Sequence, residues 1–165
     1  MQGNKNIEAE FLELIQKHQG ILHKISYAYA NKGFTKDDLN QEMILQLWRS
    51  FEGFKEQAKF STWMYRVALN TAISLTRKTN LFVETSITHS PTYEIESSYE
   101  FSEEVKVLYK AIAQLDKLEK AIVLLWLEEQ SYQEIADTVG LSVNNVSVKL
   151  VRIKKKLADI MKRFQ

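Results

Sequence analysis

Basic and amide side chains are concentrated near the C-terminus of the chain. Residues 143–165 carry seven Lys or Arg side chains against one acidic residue, Asp159. Amide side chains can pair with adenine edges in a DNA groove, and Lys or Arg can pair with guanine edges or with phosphates. A basic stripe can also neutralise several phosphates and release their counterions. The segment therefore predicts a DNA-facing surface built from Asn144, Asn145, Ser147, Lys149 and Arg152.

A second segment combines aromatic rings with basic and amide side chains. Residues 60–70 read FSTWMYRVALN, and Arg77 and Lys78 follow them. Exposed rings beside cations suit single-stranded nucleic acid, because bases stack on the rings while the cations hold the backbone. Taken alone the pattern is weak, since aromatic residues at helical spacing more often belong to a core. Core packing is therefore the favoured interpretation for Trp63.

The residue types needed for most catalytic and metal chemistry are missing or scattered. The chain has no cysteine, which excludes disulfides, thiolate zinc sites and cysteine nucleophiles. His18 and His23 are five residues apart, so they do not share a helix face well, and His89 is distant in sequence. The sequence contains no glycine-rich phosphate loop. We therefore expect no enzymatic activity, no cofactor and no metal site.

The DNA-facing segment follows the signature of a helix-turn-helix. Ser131 and Glu134 have the spacing of a capping box, which predicts the start of a short helix. Gly140 can adopt the left-handed conformation that ends a helix, and Ser142 can cap the next one. The final helix has a regular apolar stripe: Val146, Leu150, Ile153, Leu157 and Ile160. This arrangement is typical of a helix-turn-helix, and an αα-hairpin with solvated lysines is the alternative.

Three further helices are predicted in the N-terminal part. Residues 7–30 place apolar side chains at near-helical intervals, with Gly20 as a weak point. Thr35 and Asp38 resemble a capping box. Ser61 is the candidate N-cap of a third helix, which we expect to run to about Lys78. The helix after Thr35 has an apolar stripe at spacings of four residues: Leu39, Met43, Leu47 and Phe51.

Charge divides the chain into three parts, although the net charge is only +1. Residues 1–78 have a net charge of +3, residues 79–104 have −6 with no basic residue, and residues 105–165 have +4. The middle part also contains the only proline, Pro91, as is typical of linkers. Because glycine and proline are scarce, we predict an all-α protein, with two small helical domains joined by this flexible acidic linker. A long surface loop within one domain is the alternative.

Nothing in the sequence resembles a membrane span or an export signal. The longest apolar run, residues 121–127, has seven residues, whereas spanning a bilayer takes roughly 18–20. The first six residues are mostly polar and lack the apolar core of a signal peptide. We therefore expect a soluble protein with a cytoplasmic location.

Three segments together resemble a known family, the extracytoplasmic-function (ECF) sigma factors, which are small alternative specificity subunits of bacterial RNA polymerase. Residues 37–49, which read DDLNQEMILQLWR, match the family's core-binding helix in region 2. Residues 60–70 match the helix that handles the promoter −10 element, and residues 131–157 match region 4, which reads the −35 element. The three motifs in this order, separated by an acidic linker, are highly specific.

The resemblance implies a division of labour among these segments. Binding of core polymerase would involve Asp38, Leu39, Gln41, Glu42, Leu45 and Trp48. Binding of −10 DNA would involve Lys59, Phe60, Ser61, Trp63, Arg66, Asn70, Arg77 and Lys78. Binding of −35 DNA would involve Ser131, Tyr132, Ser142, Asn144, Asn145, Ser147, Lys149, Arg152 and Lys155. The implied partners are core RNA polymerase, promoter DNA (duplex at −35, melted at −10) and an anti-sigma factor.

The chain departs from the family pattern at the start of its last helix. Residues 144–149 read NNVSVK, where the family usually shows GTVKSR. One basic residue is lost and two amides are gained, so the usual −35 sequence does not carry over. Two other functions stay open at this point. One is a helix-turn-helix regulator that binds operator duplex by itself, and the other is a helical adaptor that binds only protein.

Overall fold

The computed structural model describes residues 2–54, 58–83 and 102–164. Across those ranges the backbone forms eight α-helices and one 3₁₀ turn, and it contains no β-strand. The all-α prediction is therefore confirmed. The chain divides into two compact units, Met1–Ile87 and Thr88–Gln165. Most of the predicted linker, including Pro91, lies outside the described residues.

The described part of the first unit contains four helices, and the last three pack around its centre. Helices α2, α3 and α4 pack against one another in all three pairings, and the fully buried side chains at their centre include Ile25, Met43, Met64 and Tyr65. The elements are α1 (Gln2–Lys17), α2 (Gln19–Tyr29), α3 (Lys36–Ser50), a 3₁₀ turn (Phe51–Gly53) and α4 (Phe60–Val83).

Helix α3 begins at the capping box that the sequence predicts. The Asp38 amide donates to Thr35 Oγ1 at 3.2 Å, and the Thr35 amide donates to Asp38 Oδ2 at 3.1 Å. This reciprocal pair is a capping box, which satisfies two amides that the helix itself leaves open. The predicted apolar stripe is also confirmed, because all of its members are buried: Leu39, Met43, Leu47 and Phe51.

Three boundaries in this unit differ from the sequence prediction. The N-terminal helix breaks at His18, whose φ of −111° and ψ of 19° leave the helical region, whereas Gly20 lies inside α2. Ser61 is not an N-cap, because the Trp63 amide already donates to the Lys59 carbonyl at 3.1 Å and places Ser61 in the first turn. Helix α4 also continues to Val83, five residues beyond its predicted end.

The second unit surrounds one central helix. Residues 121–125 of α6 are all buried, as expected for a helix that is apolar on every side. Helices α7 and α8 pack on α6, and α8 also packs on α5 and α7. The elements are α5 (Glu103–Ile112), α6 (Lys117–Leu127), α7 (Tyr132–Val139) and α8 (Val143–Lys162).

The second unit begins slightly earlier than predicted. Helix α5 begins at Glu103, two residues before the predicted domain start, and Ser102 caps it by accepting from the Val105 amide. Within the described ranges, no helix combines the length and the apolar character needed to cross a membrane.

Candidate nucleic-acid interface

The turn between α7 and α8 has the geometry that its sequence predicts. Ser131 and Glu134 form the expected capping box at the start of α7, with distances of 2.7 and 3.1 Å. Gly140 has φ 75° and ψ 34°, and its amide donates to the Ala136 carbonyl at 2.9 Å. Ser142 then caps α8 by accepting from the Asn145 amide at 3.1 Å. The two helices therefore form a helix-turn-helix.

Glycine at position 140 is required by backbone conformation and not by space. A Cβ atom built on Gly140 would meet no other atom within 4 Å. The positive φ is the constraint, because a side chain in the left-handed region crowds its own backbone. The direction in which α8 leaves the turn thus depends on one residue.

Helix α8 separates its apolar and polar residues onto opposite faces. The five predicted stripe residues are all buried, which confirms the periodicity argument: Val146, Leu150, Ile153, Leu157 and Ile160. The opposite side of the helix is solvent-facing, and we call it the α8 face. It carries the exposed Asn144, Asn145, Arg152 and Lys155, and the half-buried Ser147 and Lys149 lie at its edges, next to the buried stripe.

The remaining predicted −35 residues lie at the ends of the two helices. Ser131 and Tyr132 are exposed at the start of α7, and Ser142 is exposed at the start of α8. These positions place hydroxyl groups beside helix N-termini, where open amides and the helix dipole favour phosphate. The structure therefore presents all nine predicted −35 residues on surfaces that solvent reaches.

Two basic residues of α8 are engaged within the second unit. Lys154 Nζ lies 4.3 Å from the centroid of the Trp126 ring, and Lys156 Nζ forms an ion pair with Glu119 at 3.1 Å. Both contacts tie α8 to α6. The sequence could not separate these lysines from those on the α8 face, since their partners lie on another helix.

Helix α4 presents a second polar surface, which we call the α4 stripe. Arg66, Asn70, Ser74 and Arg77 are exposed, and their spacings of four, four and three residues place them on one side of the helix. Ser74 was not predicted. Lys59 is exposed just before the helix, while Phe60 and Ser61 are half-buried in its first turn. The side chain of Lys78 lies outside the described residues.

Trp63 packs into a group of rings, which we call the aromatic cluster: Phe51, Phe54, Phe60 and Trp63. The Trp63 centroid lies 5.1 Å from Phe54, 5.4 Å from Phe60 and 6.2 Å from Phe51. Trp63 is only half-buried. Trp63 therefore packs against neighbouring rings, as favoured from the sequence, but it does not belong to the buried core, and part of the ring reaches solvent beside the α4 stripe.

A histidine completes the edge of the aromatic cluster. The His18 ring lies 5.4 Å from the Phe60 ring. Burial lowers the pKa of His18, and the neighbouring Lys17 lowers it further. The break between α1 and α2 thus places an imidazole that favours its neutral form against apolar rings.

Helix α3 exposes a mixed apolar and polar surface, which we call the α3 surface: Asp38, Gln41, Glu42, Leu45 and Trp48. Leu45 is 38% exposed and Trp48 is 39% exposed. The Trp48 ring packs against Phe11 of α1 in an edge-to-face arrangement, with centroids 5.0 Å apart. This contact fixes one side of the indole and leaves the other available.

One residue predicted to bind core polymerase requires correction. Leu39 is fully buried in the first unit, so its side chain cannot contact a partner while this unit stays folded. The apolar stripe of α3 already assigned Leu39 to the core, and burial decides between the two roles. Leu39 instead anchors the helix that carries the α3 surface.

Both units match models of one protein family. The Sigma-70 region 2 model matches residues 14–81, and the Sigma-70 region 4 model matches residues 106–157. The first match contains α3 and nearly all of α4, and the second contains the helix-turn-helix. The chain belongs to the sigma-70 family. Within it, the chain is an ECF sigma factor, an alternative sigma factor that acts in transcription initiation.

Relatives of this sigma factor are similar along their whole length. The ECF sigma factor SigW of Bacillus subtilis is 22% identical, and the match covers 96% of this chain and 95% of SigW. The ECF sigma-E factor of Haemophilus influenzae is 27% identical, with 96% and 89% covered. Among solved structures, RpoE of Bartonella quintana in complex with the anti-sigma factor NepR has a TM-score of 0.72 at 19% identity, covering 96% of this chain and 98% of RpoE.

Proposed function

We propose that this sigma factor divides promoter recognition between its two units. The second unit reads the −35 element as duplex through the α8 face. The first unit holds the melted −10 strand along the α4 stripe and binds core polymerase through the α3 surface. The observation that carries the proposal is the α8 face, where amide and basic side chains project from a capped helix opposite a fully buried stripe.

Readout of the −35 element follows from the placement of the amides. In a helix-turn-helix, residues near the N-terminus of the second helix contact base edges in the major groove. Asn144 and Asn145 occupy that end of α8, and an amide pairs in a bidentate manner with adenine. Lys149 and Arg152 follow along the same helix, where they suit guanine or phosphate. Ser131, Tyr132 and Ser142 at the helix starts suit phosphate contacts that fix the register.

Stabilisation of the melted −10 strand follows from the α4 stripe. Arg66 and Arg77 lie on one side of α4 with Asn70 between them, so the cations can follow a strand backbone while the amide meets a base. The accessible part of Trp63 offers a stacking surface. Unstacking a base costs on the order of a few kcal/mol, and stacking it on an aromatic ring returns about 1–3 kcal/mol. The free energy gained by binding the unpaired base can therefore offset the cost of unstacking it.

Binding to core polymerase is assigned to the α3 surface. Trp48 and Leu45 supply exposed apolar area, and Gln41 supplies an amide beside them. A partly buried tryptophan flanked by polar groups is the kind of residue that dominates a protein interface. Glu42 is half-buried and Asp38 is engaged in the capping box, so we place both at the rim of the contact.

Transcription with purified components tests this proposal. The protein is mixed with core polymerase and a promoter library randomised at the −35 and −10 elements, and the transcribed templates are sequenced. We expect transcription only with both proteins present, from templates that share two elements. Tight sequence-specific binding of the isolated protein to duplex, without association with core polymerase, would instead support a regulator that acts alone.

We also propose that a protein partner controls this sigma factor by binding it away from polymerase. Support comes from the solved structure of RpoE, which is a complex with the anti-sigma factor NepR, and from CnrH, which is in complex with the cytosolic domain of CnrY. A partner of this kind should abolish transcription in the same reconstituted assay. Competition between the partner and core polymerase for the labelled protein measures the effect directly.

A further inference from the structure

We propose that Val148 reads the 5-methyl group of a thymine in the −35 element. The proposal rests on the assignment of the α8 face to −35 recognition. It assigns a role in base specificity to Val148, an apolar residue whose neighbours on the α8 face are mostly polar. Isolated exposed valines are ordinary on protein surfaces, so the argument depends on the neighbours of this one.

Val148 lies in the middle of the α8 face. It is the sixth residue of α8 and its side chain is 44% exposed. Asn144 lies one turn before it and Arg152 one turn after it, and both are exposed. Residues four apart share a helix face, so an apolar side chain separates two groups that suit base edges. The buried stripe lies on the opposite side, so Val148 is not one of the core residues.

The chemistry of the major groove gives this valine a partner. Thymine is the base that carries a methyl group in the groove, and apolar side chains distinguish it by contact. A valine cannot donate or accept a hydrogen bond, so a donor or acceptor of another base placed against it would lose its water without replacement. Asn144 can take an adenine edge one helical turn away. The pair thus favours an A·T-containing sequence at this part of the site.

A second exposed valine provides an internal comparison. Val151 is 69% exposed and lies on the same side of α8, but it is three residues further from the helix N-terminus, or about 4.5 Å along the axis. Because the N-terminal residues of a recognition helix approach base edges most closely, we assign the base contact to Val148. Val151 then serves as the matched control.

The test removes the methyl group from the DNA. A promoter is first selected with the complete protein and core polymerase, and each −35 thymine is then replaced in turn by deoxyuridine, which keeps the pairing and lacks the methyl. We expect the holoenzyme to bind about fourfold more weakly at one position, the loss that corresponds to one buried methyl-sized group. Val148→Ala should show a smaller difference between the thymine and deoxyuridine promoters, because the shorter alanine loses part of the contact with the methyl group, and Val151→Ala should keep the wild-type preference.

Three results would overturn the inference. These are equal binding of all substituted promoters by the wild type, an unchanged preference in Val148→Ala, and loss of the preference in Val151→Ala. Failure of the underlying function would look different, because the wild-type holoenzyme would then bind promoters without regard to any −35 base. Circular dichroism of both variants confirms that α8 remains folded, as expected for substitutions at exposed sites.

Discussion

The two helices that we propose bind nucleic acid, α8 and α4, are built in different ways. In the second unit, α8 keeps all its core contacts on one stripe, and the opposite face is left to polar and basic residues. In the first unit, the α4 stripe begins beside the aromatic cluster, where Trp63 is shared between packing and the surface. A surface that reads duplex edges can thus be set by local helix geometry. A surface that stacks on unpaired bases needs rings held by several elements.

Charge reversal on the α8 face is the strongest test of this contrast. Lys149→Glu combined with Arg152→Glu replaces two attractive contacts with repulsion, so we expect −35 binding to fall by roughly 100-fold or more at moderate salt. Binding of core polymerase should stay unchanged, because the α3 surface is on the other unit. Fluorescence anisotropy with −35 duplex and with core polymerase measures the two separately.

Charge reversal of Lys154 and Lys156 is the matched control. These lysines lie on the same helix but contact Trp126 and Glu119, so their loss should affect promoter binding less. Equal loss from both double variants would mean that net charge, and not the α8 face, determines the affinity.

A second test replaces Trp48 of the α3 surface with alanine and measures the same two affinities, for core polymerase and for −35 duplex. Removing a partly buried tryptophan from the centre of an interface typically costs at least about 2 kcal/mol, or roughly 30-fold in affinity. We therefore expect weak polymerase binding together with normal −35 duplex binding. Leu12→Ala removes another exposed apolar side chain, 56% accessible and outside the α3 surface, and should have little effect.

A thermal unfolding measurement accompanies the Trp48 experiment. Trp48 also contacts Phe11, so the variant must be shown to remain folded at the assay temperature. If Leu12→Ala weakens polymerase binding as much as Trp48→Ala does, the contact extends onto α1 and our definition of the α3 surface is wrong.

One glycine in each unit tests how backbone conformation contributes to stability. Gly140→Ala should destabilise the second unit by about 1–2 kcal/mol, since the left-handed conformation is costly for a side chain. Gly20→Ala should stabilise the first unit by up to about 1 kcal/mol, because alanine favours a helix and nothing lies within 4 Å of the added atom. Hydrogen exchange resolved by peptide measures both. A change of the same sign in the two variants would contradict this account.

The smallest change in stability is expected at Glu129, in the turn before α7. Glu129 has φ 60°, and its amide donates to the Trp126 carbonyl at 3.0 Å while the Gln130 amide donates to the Leu125 carbonyl at 3.2 Å. This is a helix C-terminus of the kind that usually takes glycine. Glu129→Gly should therefore stabilise the second unit by roughly 0.5–1 kcal/mol. Urea denaturation measures the gain, and Glu128→Gly, at a residue without positive φ, should give none.

Much of the candidate site was predictable because its signals are local. The capping boxes at Thr35 and Ser131, the left-handed Gly140 and the cap at Ser142 all depend on hydrogen bonds between residues within four positions. The α8 stripe depends on helical periodicity alone. These predictions were confirmed, because the interacting residues are close in sequence. The cap predicted at Ser61 was wrong, because the Trp63 amide already donates to the Lys59 carbonyl.

Long-range packing decided the remaining features. Ring contacts between helices, such as that of His18 with Phe60, join residues that sequence spacing does not relate, and neither the break at His18 nor the continuation of α4 to Val83 was predicted. The placement of Val148 on the polar face follows from the same periodicity as the α8 stripe, whereas its exposed fraction of 44% depends on what packs nearby.

The sequence by itself determined which segments are helical, the caps at Thr35, Ser131 and Ser142, the three-part distribution of charge and the resemblance to the family. Tertiary structure alone decided which lysines of α8 are engaged with α6, how much of Trp63 remains accessible beside the aromatic cluster, and which residues of α3 can reach a partner. The physical reason is that identity and spacing fix local backbone geometry. Whether a side chain is exposed depends on which residues of other elements pack against it, and a side chain must be exposed to bind a partner.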